Sequence, residues 1–196
     1  MSKNLKTTLR YYGISPWEIE VLYGFLNSHF TIIQDEIEPT DEDFVSFLEM
    51  EIPLPFNEAF FQWFEFKRWE KVKAIFKEIK RRRGGRNALK IKINFSGNPR
   101  IVFTVDSEDR QWFNNAVEKI DFVLELLPYH IDPEKLPSEI SEIMYKFDSK
   151  SVRWHHRELI RYKYGKSKKL SNALEFIESK YKELHKLLEP FQKDLK

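Results

Sequence analysis

Residues 88–105 read ALKIKINF, then SGNP, then RIVFTV. Leu89, Ile91, Ile93 and Phe95 alternate with Lys90, Lys92 and Asn94. That period of two belongs to a strand with one buried face and one wet face. A turn segment and a second apolar run follow at once, which predicts a β-hairpin. A hairpin with one apolar face needs a layer to cover it, and most of the remaining pattern is helical.

Ser15-Pro16 offers an N-cap and a proline at the first helical position, predicting a helix to about Ser28. Phe30 to Gln34 reads as a short strand and the acidic run 35–43 as a solvated loop. Residues 44–52 read as a strand ended by Pro53 and Pro55. A long helix is predicted over 57–83, stopped by Gly84-Gly85. After the hairpin, Asp106 or Ser107 starts a helix to about Leu127, with Trp112, Ala116, Ile120, Val123 and Leu127 at helical spacing. Shorter helices are expected near 137–147 and over 151–164, the latter stopped by Gly165. Leu170, Leu174, Ile177, Tyr181, Leu184 and Leu188 then recur at alternating spacings of four and three, continued by Phe191 and Leu195. This is a heptad seam, with Pro190 ending or breaking its helix. Such a seam either packs back on its own domain or pairs with a second copy, and its narrowness and terminal position favour the copy. The expected fold is α+β: a small, mainly antiparallel sheet with a β-hairpin packed by several helices, plus the C-terminal heptad-patterned helix. The expected domains are 1–165 and 166–196.

Thirty of the 196 residues are aromatic, counting phenylalanine, tyrosine and tryptophan, which argues against a disordered chain. There is no cysteine, so disulfides, thiol catalysis and cysteine-ligated zinc are excluded. No apolar run approaches the roughly 20 residues that span a bilayer. The beginning of the chain lacks the apolar core of a signal peptide, so a soluble cytoplasmic protein is expected. The richness in Lys and Glu leans toward a thermophile.

The net charge of +2 hides blocks: −9 over residues 1–66, +11 over 67–100, −7 over 101–148 and +7 over 149–196. Either the blocks neutralise one another across the fold, or they leave basic surface for an anionic partner. On a helical wheel over 57–83, Phe61, Phe64, Trp69, Val72, Ile75, Phe76 and Ile79 form the core stripe, with Arg68 an oddity inside it. Trp63 and Phe66 fall off that stripe, in a sector with Lys73, Lys77, Lys80 and Arg81. Arg82, Arg83 and Arg86 extend the charge into a loop, and Lys90 and Lys92 line the polar side of the hairpin. In RWHHRELIRYKY, Arg153, Arg157 and Arg161 form an i, i+4, i+8 row flanked by Trp154 and Tyr164. Interleaved cations and aromatics suit single-stranded nucleic acid, because cations track phosphates while flat rings stack on unpaired bases. A duplex hides those base faces.

No P-loop, GxGxxG or GxSxG is present, and no enzyme is expected. His155 and His156 are adjacent, so on a helix they diverge and cannot clamp one metal, and no metal or cofactor is expected. The acidic loop 35–43 reads as solvated rather than as a nuclease site.

The helix KRWEKVKAIFKEIKRRRGGR, running into the hairpin ALKIKINFSGNPRIVFTV inside an aromatic-rich domain over roughly 1–150, precedes the leucine-rich LSNALEFIESKYKELHKLL. In this organisation the chain resembles the ThermoDBP family and its relatives, single-stranded DNA-binding proteins of thermophilic archaea. The resemblance implies a fold other than an OB barrel and self-association through the C-terminal helix. It also implies a cleft of apolar and basic residues that holds single strands with little sequence preference. The expected partner is therefore single-stranded nucleic acid, DNA over RNA, with a homodimer or higher homo-oligomer and no membrane. Two alternatives stay open: a winged-helix reader of duplex DNA with the hairpin as wing, and a protein–protein scaffold.

Overall fold

The computed structural model describes residues 5–39, 44–85, 88–132, 134, 136–137 and 139–161, and the backbone alone over 157–161. Among the described residues there are seven strands and five helices, with one or two helices between the strands of each unit. The strands are β1 (Lys6–Tyr12), β2 (Thr31–Glu36), β3 (Phe47–Ile52), β4 (Lys90–Phe95), β5 (Arg100–Val105), β6 (Ile140–Asp148) and β7 (Arg153–Arg161). The helices are α1 (Pro16–Leu26), α2 (Glu58–Phe64), α3 (Phe66–Arg83), α4 (Arg110–Glu118) and α5 (Val123–His130).

All seven strands form one sheet in the order β2-β1-β3-β4-β5-β6-β7. β1–β2, β3–β4 and β5–β6 are parallel; β1–β3, β4–β5 and β6–β7 are antiparallel. The expectation of a small, mainly antiparallel sheet is corrected: the sheet is large and mixed. Each parallel pair is a strand–helix–strand unit, and antiparallel contacts join the units. α3 packs against α1 on one side and α4 on the other, so the crossovers share one layer. With the strand directions given, the β5-to-β6 crossover then has the opposite hand from the other two, so the three cannot all follow the usual right-handed rule.

The core lies between that helix layer and one face of the sheet. Leu9, Met50, Ile91, Ile93, Phe103 and Tyr145 supply the sheet side, while Leu22, Phe61, Trp69, Val72, Phe76 and Phe113 supply the helix side. Ser15 caps α1 as expected: its hydroxyl accepts from the Glu18 N–H, and the Glu18 carboxylate accepts from the Ser15 N–H. Arg83, at the last turn of α3, ties that helix to the start of α1. Its guanidinium bonds the Glu18 carboxylate at 2.7 and 2.9 Å, the Ser46 hydroxyl at 2.8 Å and the Gly13 carbonyl at 2.9 Å.

Four further expectations are corrected. The helix over 57–83 is two helices, because Glu65 has φ +68° and ends α2 one residue before α3 begins. The helix to Leu127 is also two, α4 and α5, separated by a turn over 119–122. The expected helix near 137–147 is β6, and the expected helix over 151–164 is β7 as far as Arg161. The last error has a simple cause: a spacing of four returns a residue to one side of a strand as well as of a helix. β1 lies where no element was expected. The heptad seam from Leu170 to Leu188 lies outside the described residues.

Candidate nucleic-acid interface

The register determines which side chains share the sheet's second face, on which no described helix packs. One row crosses every strand: Asp35, Arg10, Glu49, Lys92, Thr104, Lys146 and His155. Each is the direct neighbour of the next, so with strands about 4.8 Å apart the row spans about 29 Å. A second row runs through Ile33, Thr8, Glu51, Asn94, Val102 and Met144. Arg100 stands opposite Glu142, and Arg153 opposite Asp148, at the flanks. Lys90 lies opposite Phe47, which lies opposite Tyr12, and those two rings stack at 5.6 Å. The Lys90 ammonium sits over the Phe44 ring at 5.2 Å.

This polar face is amphoteric on the β1–β3 side and mainly cationic from β4 to β7. Glu49 is buried and accepts from Asn94 at 2.7 Å, Lys92 at 3.1 Å and Arg10 at 3.2 Å. Burial would raise its carboxyl pKa, but the Asn94 bond and the two cations outweigh that and hold it below the usual range. Arg100 reaches Glu51 at 3.2 Å, and Lys146 reaches Asp106 at 3.0 Å. Arg153 is exposed at the start of β7.

The cations of α3 are also paired, with carboxylates of α3 itself, of α4 and of the turn that follows α4. Lys73 is buried, bonded to Glu70 at 2.6 Å and Asp121 at 3.1 Å, with Glu118 at 3.5 Å. Burial lowers its pKa, but Glu70 and Asp121 outweigh this and raise it overall. Lys77 pairs with Glu118. Arg81 and Arg82 both grip Glu78, at 2.6 and 2.8 Å, and pull its carboxyl down to about 2. Buried Lys80 lies over the Phe113 ring, and burial lowers its pKa. The charge blocks thus meet one another: 67–100 pairs with 1–66 through Arg83–Glu18 and Lys92–Glu49, and with 101–148 through Lys73–Asp121 and Lys77–Glu118.

The residues read from sequence therefore do not form one surface. Lys73, Lys77, Arg81, Arg82 and Arg83 lie in the helix layer, whereas Lys90 and Lys92 project from the opposite face of the sheet. Trp154 is core, donating its indole N–H to the Ala116 carbonyl at 3.1 Å and packing edge-on to Phe103. Trp63 is half-buried against His29 and Phe30. Phe66 is half-exposed and stacks on Phe61 at 4.7 Å. Arg86 and Tyr164 lie outside the described residues, as do the side chains of Arg157 and Arg161. Arg68 leaves the core stripe to bond the Ser28 hydroxyl at 2.7 Å and the Phe25 carbonyl at 3.4 Å. The sequence reading missed Arg10, Arg100 and Lys146. Arg100 was legible as the polar-side partner of the hairpin, since it alternates with Ile101 and Phe103; Arg10 and Lys146 lie in strands that were not foreseen.

Known families, curated proteins and solved structures give no match to this chain. The site must therefore be judged by its own chemistry. Among the described residues, no group of three or more His, Cys, Asp or Glu is placed to hold a metal ion. No described helix is long and apolar enough to cross a membrane.

Proposed function

We propose that this protein binds single-stranded nucleic acid, DNA in preference to RNA, across the polar face of its sheet. The observation that carries the reading is the half-face from β4 to β7, where Lys90, Lys92, Arg100, Lys146 and Arg153 share one side of four adjacent strands. An open strand face of this kind lets phosphates follow a line of cations while the bases stay unpaired. The partly exposed Phe44 and Phe47 rings beside Lys90 supply apolar surface at one end of it, with buried Tyr12 stacked behind Phe47. The preference for DNA rests mainly on the ThermoDBP resemblance, and the homo-oligomer on that resemblance together with the heptad seam from Leu170 to Leu188.

A duplex reader of the winged-helix kind has less support. The hairpin it would extend as a wing forms the fourth and fifth strands of the sheet order, and α3 is packed among α1, α2 and α4. A protein-binding role is favoured by one observation. Phe122, Leu126, Tyr129 and Ile131 are all exposed within ten residues, beside a groove floored by Val123, Val152 and Trp154.

The deciding experiment is a competition titration, by fluorescence anisotropy, between labelled single strands and the same sequence as duplex. The reading requires the single strand to win at equal nucleotide concentration. Preference for the duplex, or no binding in low salt, would overturn it.

A further inference from the structure

The interface does not use a pair of imidazoles that three elements bring together on the other side of the sheet. His130 is the last residue of α5, Tyr145 lies in β6, and His156 is opposite Tyr145 in β7. The two histidine rings lie 5.0 Å apart, centroid to centroid, with planes inclined at 58°. Two imidazoles bound through nitrogen to one tetrahedral ion at about 2.0–2.1 Å place their centroids about 5 Å apart.

Tyr145 fixes the first ring. It is fully buried, stacks on Phe103 at 5.2 Å, and its hydroxyl lies 2.8 Å from His130 Nδ1. With Nδ1 engaged, Nε2 is the nitrogen left to coordinate, the arrangement by which metal-binding histidines are commonly oriented. His156 is exposed, so an ion has a path in and water can complete its shell. The C-terminal end of α5 adds the negative end of a helix dipole.

We propose that His130 and His156 form a two-imidazole site for a borderline divalent transition metal of the Zn²⁺, Ni²⁺ or Cu²⁺ class, with Tyr145 as the positioning residue. The ion would join the end of α5 to strand β7. The sequence hides this site because twenty-five residues separate the two ligands, and because His155, the neighbour that catches the eye, points to the other face and bonds Ser151.

The test uses untagged full-length protein stripped with chelator and titrated with Zn²⁺ by calorimetry. Trace Ni²⁺ then serves as a paramagnetic probe of the imidazole signals. The expected result is one Zn²⁺ per chain and selective broadening of His130 and His156 before His29, His155 and His185. His130→Gln or His156→Gln should weaken Zn²⁺ at least tenfold, Tyr145→Phe about tenfold, and His155→Gln not at all. Zn²⁺ binding that survives the double substitution His130→Gln/His156→Gln would overturn the assignment. So would broadening that begins at another histidine, or no binding to the wild-type protein at millimolar Zn²⁺. The broadening pattern is read on the unsubstituted chain, so a variant that fails to fold does not shield the proposal.

Discussion

If phosphates lie along the β4–β7 half of the polar face, removing two of its cations changes salt dependence by a calculable amount. Lys90, Lys92, Arg100, Lys146 and Arg153 are the cations of that half-face. For single strands each neutralised phosphate contributes about −0.7 to the slope of log affinity against log salt, so five give about −3.5. Raising salt from 50 to 200 mM should then weaken wild-type binding about 130-fold. The variant Lys92→Gln/Lys146→Gln keeps three contacts, a slope of about −2.1, and should weaken only about 18-fold over the same range. Lys73→Gln/Lys77→Gln removes the same charge from the helix layer and should leave the slope at its wild-type value. Asp106→Asn releases Lys146 from its 3.0 Å partner and should tighten binding. Anisotropy titrations at four salt concentrations measure all of these. Equal slopes for wild type and the Lys92/Lys146 variant would refute the placement, and a larger effect from Lys73/Lys77 would move the site to the helices.

Other expectations concern the scaffold. Lys73→Met should cost about 1–3 kcal/mol, because it leaves three acids without their buried cation, and should lower Tm by roughly 2–12 °C. The acids raise the folded pKa of Lys73, so its stabilisation is complete below the unfolded value of about 10.4 and fades as pH rises through the folded one. In urea melts the gap between wild type and variant should therefore be full at pH 9 and narrow once the pH rises above about 10.4. Burial raises the Glu18 carboxyl, but Arg83 and the Ser15 N–H outweigh it and lower its folded pKa. Its stabilisation holds above the unfolded value of about 4.3 and is lost as pH falls through the folded value, so Glu18→Gln should flatten the acid limb of a stability–pH curve. Glu65→Gly relieves a left-handed backbone and should raise stability by about 1 kcal/mol in a thermal melt.

Legibility of the fold in the sequence follows the physics of each segment. The α1 cap and the β4–β5 hairpin were legible because their signals are local: a serine–proline start and a strict alternation. β6 and β7 were not, because irregular register between Ile140 and Glu142 and between Met144 and Tyr145 breaks the period of two. In β7 the arginine spacing then fits either structure. The break at Glu65 was invisible because no glycine marks it; a non-glycine residue adopts the positive φ. Site residues fared by the same rule. Lys90 and Lys92 were found because alternation assigns them a face. The α3 cations were misassigned because Asp121 and Glu118, which hold Lys73 and Lys77, are more than forty residues away in sequence.

The strand order carries a consequence for how the chain assembles. Five of the six strand pairings join strands that follow one another directly; only β1–β3 must pass over β2. The β4–β5 and β6–β7 hairpins close only short turns, whereas the β3–β4 and β5–β6 pairings each close about forty residues, so the two hairpins can form before the crossovers that join them. During synthesis from the N-terminus, each new strand finds its neighbour already made. Growth after β2 is thus one-sided: β3 joins the free edge of β1, and each strand from β4 onward is added at the edge the previous one has just supplied.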